Sequence, residues 1–208
     1  MRLRLVGTGI VAALALAGLS ACSSTNAGAA AFVGSDRIAE GDVSQYVVPG
    51  FAMPTDSNSS NQEPPRVFAL DSMVRTRLMA QLLDKSLGGV PTDAQLASLH
   101  DQALATAFNI QGTGPEADAT VRQVLEQHGV RQSFAPTFVK DAELLLAVIA
   151  KTNAQQLSDI ANAVKKADIP VRVNARYGAW SPQNVSISGP AQLDFVHIGS
   201  STPAAPQP

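Results

Sequence analysis

Leu19-Ser20-Ala21-Cys22 places the only cysteine of the chain directly behind one branched residue and two small ones. This is the lipobox pattern of bacterial lipoproteins, and its chemistry explains the spacing. Small side chains at Ser20 and Ala21 let a peptidase reach the bond before Cys22, and the thiol of Cys22 carries a diacylglycerol. The residues upstream agree. Arg2 and Arg4 form a positive start, and Leu5 to Leu19 contains no charge while being too short to serve comfortably as a permanent span. Residues 1–21 are therefore expected to be a lipoprotein signal peptide. Cys22 would then be lipidated on the extracytoplasmic face of the cell membrane. Each buried methylene contributes about 0.8 kcal/mol, so two or more acyl chains would anchor the protein durably.

Other reactive groupings are thin. One cysteine permits no intrachain disulfide and no Cys-rich metal site. His100, His128 and His197 are far apart in sequence, an arrangement that argues against a histidine metal cluster; His100 and His128 read as helix-surface or boundary residues, and His197 as satisfied or solvent-facing. The serines lie mostly in breaker-rich stretches, without a Gly-x-Ser-x-Gly elbow. Gly112-x-Gly114 lacks the remainder of a dinucleotide fingerprint and reads as a turn. Asp141 and Glu143, two apart, would point to different sides of a helix and are expected to be solvated rather than a paired acid and base. We therefore expect no catalytic residue, no metal and no cofactor.

These groups need a frame, and the 208 residues, 45% hydrophobic and 15% charged, suffice for one domain with appendages. A formal net charge of -2, falling to -4 once Arg2 and Arg4 leave with the signal peptide, argues against a nucleic-acid partner. Residues 22–29 read as a flexible polar tether, 30–187 as the folded domain, and 188–208 as an extension with a Pro/Ala-rich tail. Ala30 to Ile38 suggests a strand or tight hairpin around Gly34-Ser35-Asp36. A short helix is expected over Glu40 to Val48, stopped by Pro49-Gly50. Phe51 to Pro65 is a long breaker-rich loop.

From Arg66 the apolar period becomes helical. Val67, Leu70, Val74, Leu78 and Leu82 share one face. Thr92 caps a helix expected to run to about Asn109, a third ends at Gly129, and two more carry Phe134 to Ile149 and Leu157 to Val164. Ile169 to Asn174 returns to strand alternation, with Pro170 at its start. Tyr177 to Pro182 is a turn-rich segment with an aromatic anchor that Val185 and Ile187 could extend; Leu193 to Ile198 is a further short apolar run. A lone strand leaves its backbone groups unsatisfied, so the strands near Phe32 and Val171 are expected to pair. The fold class expected is mainly α, closed by a small antiparallel pairing of N- and C-terminal strands.

Three strings resemble the SurA/PrsA-type extracytoplasmic chaperones. Phe32-Val33-Gly34-Ser35-Asp36-Arg37-Ile38 is similar to the family's opening strand, turn and strand. Gly89-Val90-Pro91-Thr92-Asp93-Ala94 resembles its turn into an acidic-started helix. Val173-Asn174-Ala175-Arg176-Tyr177-Gly178-Ala179-Trp180 resembles its returning segment, with Ala175 where the family usually has proline. The resemblance covers roughly Ala30 to Pro182. It implies a folding factor that holds unfolded or exported polypeptides, here without the parvulin-type prolyl isomerase domain that many members carry.

Within that resemblance Asn174, Arg176, Tyr177, Gly178 and Trp180 are expected to be structural, pinning the returning strand. Candidates for client contact are Phe51, Met53, Phe68, Met73 and Met79, since flexible methionines suit promiscuous surfaces, although core packing is the commoner role for each taken singly. The alternative is a scaffold or adaptor lipoprotein that binds one folded envelope partner. Palmitate labelling of producing cells should mark the wild-type chain and leave Cys22→Ser unlabelled; label on the variant would contradict the lipobox reading.

Overall fold

The computed structural model describes residues 28–51, 63–110 and 112–188. Residues 19–22, Met53, His197 and the 193–198 run lie outside them. Strands β1 (Ala29–Val33) and β2 (Asp36–Ala39) form an antiparallel hairpin with Val33 opposite Asp36. Its turn requires glycine twice over. Gly34 has φ +58°, and a Cβ there would lie 2.5 Å from Gln81 Oε1. The Gln81 side chain donates to Val33 O and to Asp36 Oδ2, both at 2.9 Å, and so holds the hairpin to the helix behind it.

Helix α1 (Glu40–Ser44) is shorter than the stretch to Val48 expected from the sequence. The backbone beyond it is used otherwise: Val47 forms a β-bridge with Val130, and Arg131 N–H donates to Tyr46 O at 2.7 Å. Helix α2 (Pro65–Ser86) starts with proline at its first position, where a missing N–H costs nothing. The helix expected from Thr92 to Asn109 is two, α3 (Asp93–Ala97) and α4 (His100–Phe108). At the break, Leu99 N–H turns to Leu96 O at 2.8 Å and the Ser98 hydroxyl donates to Gln95 O at 2.6 Å. Thr92 caps α3 as expected, in a reciprocal box with Gln95.

Helix α5 (Pro115–Gln127) ends at Gly129, whose φ is +66°. Val130 N–H bonds Leu125 O and Gly129 N–H bonds Glu126 O, the paired closure of a Schellman motif. A single 3-10 turn (Gln132–Phe134) leads into α6 (Ala135–Thr152), and α7 (Leu157–Ala167) follows. Helix α6 touches α2, α3, α4, α5 and α7. It is consequently buried on most sides, which one apolar stripe in the sequence does not reveal.

Strand β3 (Val171–Val173) lies antiparallel to β1, with Phe32 opposite Arg172 and Val33 opposite Val171, giving the order β2-β1-β3. The expected pairing of the chain's ends is thus present, in a mainly α fold. A second ribbon, β4 (Ala179–Ser181) with β5 (Ser186–Ser188), packs on α2. Ala29 belongs to β1 and Ser188 to β5, so the ordered elements extend one residue beyond each expected domain limit.

One apolar core joins sheet and helices, including Val33, Leu70, Leu78, Leu82, Phe134 and Leu144. No helix among the described residues is long and apolar enough to cross a membrane. Leu78 is fully buried while Val90 is 43% exposed. In urea titrations, Leu78→Ala should lose about 2–5 kcal/mol and Val90→Ala no more than about 0.5 kcal/mol. Equal effects would contradict this placement of the core.

Candidate functional site

The Asn174 to Trp180 string after β3 works as a fastening. Asn174 N–H donates to Ala30 O at 2.9 Å, its Nδ2 to Ala29 O at 3.2 Å, and its Oδ1 accepts from Arg176 N–H at 3.3 Å. One side chain therefore ties β1 to the 3-10 turn at Ala175–Tyr177. The Tyr177 hydroxyl and the Arg176 guanidinium both reach the Glu40 carboxylate at the start of α1. Tyr177 is buried, and that burial raises its pKa, with Arg176 and Arg66 opposing. Gly178 takes φ +118° and ψ -154°, backbone angles that side-chain-bearing residues rarely adopt. Trp180 is half-buried against the core. Arg176 thus pairs with a helix carboxylate, and the string attaches the C-terminal part of the fold to its beginning.

Behind it lies a charged network that sequence reasoning missed. Arg75 on α2 donates from Nε and Nη2 to Asp141 on α6, at 3.1 and 2.7 Å to Oδ2, and also pairs with Asp71 one turn earlier. Ser72 Oγ–H adds a bond to Asp141 at 2.9 Å, and Asp71 Oδ1 accepts from the Ile187 N–H of β5 at 2.6 Å. Asp141 is fully buried and Glu143 nearly so, which corrects the expectation that both are solvated; α6 has no broad solvent face to offer them. Burial pushes the Asp71 and Asp141 carboxyls up, with Arg75 acting against it. Burial disfavours the Arg75 cation as well, but Asp141 and Asp71 outweigh it and raise its pKa. The available signal was Asp71 and Arg75 at i,i+4 inside a helix otherwise rich in apolar residues.

An apolar-walled groove lies elsewhere. It has a volume of about 300 Å³ and lies between residues 47–51 and 64–66, the two borders of the 52–62 stretch. Phe51 is half-buried there, and a Cβ on Gly129 would meet its ring at 2.4 Å, so the α5 terminus must be glycine for this seat to exist. Phe68 is half-buried, stacked on His128 at 4.1 Å and on Phe138 at 5.7 Å between centroids. Burial lowers the His128 pKa, consistent with a neutral ring in a stack. Met79 is a core residue without any exposure and presents no surface to a client; Met73 is buried but for a small exposure, where it lines a cavity with Tyr46 and Thr76. His100 is half-buried at a helix boundary, 3.3 Å from Asp118 and 3.6 Å from Glu143.

Compared with known proteins, the chain matches no family model, no curated protein and no solved structure.

Glu63, at the border of the groove, carries a pKa raised to about 7, first by burial and then by Asp71, with Arg75 opposing. The folded chain holds this proton more tightly than the unfolded chain, whose carboxyl titrates near 4.5. The contribution is therefore complete below that value and lost as pH rises through about 7. Allowing for partial solvent screening, the unfolding free energy should fall by about 1–2 kcal/mol between roughly pH 5 and pH 8 in wild type. Glu63→Gln should flatten that slope; an unchanged slope would contradict the assignment.

Proposed function

We propose that the chain is a membrane-anchored, extracytoplasmic, non-catalytic chaperone-like lipoprotein that binds unfolded or exported polypeptides. The observation that carries the reading is the pairing of β1, first of the described strands, with β3, which follows the last helix. The segments resembling the SurA/PrsA-type opening and return meet as β1 and β3, and the Asn174 to Trp180 string fastens them to α1 and the core. The lipobox at Cys22 supports a tether that keeps the domain where exported chains emerge.

The groove at residues 47–51 and 64–66 supplies the apolar surface in this reading. Its wall of Val48, Pro49, Phe51, Pro64 and Pro65 is apolar and makes few directional demands, which suits sequence-tolerant capture. Burying one large apolar side chain contributes about 1.5–3 kcal/mol, below the roughly 4 kcal/mol of millimolar binding. Capture would therefore be weak and reversible at a single contact, and firm only with several.

The adaptor reading is favoured by a different observation. Among the described residues the exposed large hydrophobics are Val48, Val90 and Leu157, a sparse set for a holdase. In-cell crosslinking separates the two, because a holdase captures many partners and an adaptor captures one. Residues 23–208, which contain every described element, should slow aggregation of a chemically unfolded model protein at several-fold molar excess. No suppression there would contradict the chaperone reading.

A further inference from the structure

Among the described residues, strand β3 has one edge paired, with β1, and the other unpaired. Gly34 N–H bonds Pro170 O at 2.8 Å and Asn174 N–H bonds Ala30 O at 2.9 Å. In the antiparallel register that places Phe32 opposite Arg172, these bonds turn the backbone groups of Arg172 toward β1. The N–H and C=O groups of Val171 and Val173 consequently face the other way, and no described residue bonds them. A groove of about 210 Å³ crosses the paired strands, lined by residues 29–32 and 172–174. Side chains alternate along the strand: Val171 and Val173 are half-buried, and Arg172 is exposed. The Arg172 guanidinium lies 5.2 Å from the Phe32 ring centroid and meets no carboxylate among the described residues.

We propose that the outer edge of β3 binds an extended polypeptide segment as an added strand, selecting an acidic residue flanked by two apolar ones, with the acid opposite Arg172. The charge supplies the selection. An added strand places one residue directly across from Arg172 on the same face, and an opposite charge there is favoured while a like charge is penalised. Its neighbours fall on the face of Val171 and Val173, where apolar side chains extend the half-buried surface. The outward N–H and C=O groups of Val171 and Val173 give up to four backbone bonds that do not depend on sequence. This inference rests on the chaperone reading and names the kind of client segment and how it is held; the backbone bonds add to the weak grip of the apolar groove.

The test uses ¹⁵N-labelled residues 23–208 with two probes, acetyl-Thr-Val-Glu-Val-Thr-amide and acetyl-Thr-Val-Lys-Val-Thr-amide. The glutamate peptide should shift the Val171 and Val173 amide resonances and slow their hydrogen exchange, with the lysine peptide roughly fivefold weaker. Arg172→Glu should reverse that order. Val173→Pro removes an outward donor while sparing the bonds to β1, and should lose binding with the thermal transition retained. Absence of any perturbation at Val171 and Val173 overturns the proposal. So does slow exchange of these amides without peptide, either at all concentrations (the chain's own residues 193–198 on the edge) or only at high concentration (a second copy). An aggregation assay run in parallel keeps the two readings apart. Equal suppression by wild type and Val173→Pro leaves the chaperone reading standing and the edge proposal fallen. Peptide binding without suppression does the reverse.

Discussion

The antiparallel contact between β1 and β3 is the constraint on which the remaining structure depends. It joins positions as far apart as Ala29 and Asn174, which are 145 residues distant in sequence. Closing a loop of that length costs about 4 kcal/mol or more in chain entropy. The backbone hydrogen bonds across it, those exchanged by Phe32 and Arg172 and those joining Gly34 to Pro170 and Asn174 to Ala30, contribute only about 1 kcal/mol each net. They do not hold the ends together with much to spare. Ala31 and Val33, buried in the core and backed by α2, supply the balance, and Asn174, Arg176 and Tyr177 add polar ties. Sheet and helices therefore stabilise one another.

The charged network on α2 and α6 works in the opposite sense energetically. Two buried carboxylates and one guanidinium lose hydration on folding, and such groups are often no more stabilising than an apolar replacement. They contribute geometry instead. Arg75 reaches α2 and α6 together, and Asp71 receives Ile187 N–H from the β4–β5 ribbon. The network thus fixes how the last ribbon sits on the central helices. Burial first, and then the charge of Asp71, makes nearby Glu63 retain its proton toward neutral pH.

Much of the frame was legible because local chemistry and tertiary structure agree. The turn at Gly34, the Thr92 cap and the stop at Gly129 each satisfy a backbone need that their residue types announce. What was not legible depends on neighbours remote in sequence. Asp141 and Glu143 read as solvated because periodicity along α6 cannot register five other helices around it. Periodicity likewise left Met73 and Met79 open between client contact and core packing, and the fold buries them. The break between α3 and α4 arises from the Ser98 hydroxyl and one tightened hydrogen bond, neither of which interrupts the apolar spacing. The three-residue strands β4 and β5 are too short for alternation to declare them.

The Asn174 to Trp180 string and the edge of β3 that no described residue pairs share one short stretch of chain, so fastening and proposed recognition are adjacent, with Arg172 two residues before Asn174. Both depend on the same register. In an antiparallel ladder with Arg172 bonded to Phe32, the pairs Ala31–Val173 and Val33–Val171 are the ones that do not exchange hydrogen bonds. Their Hα atoms then approach closely enough for strong nuclear Overhauser effects. The most direct measurement is that NMR spectrum on residues 23–208. The account predicts strong Hα–Hα cross-peaks for both pairs; their absence, or cross-peaks in a register shifted by one residue, would contradict it.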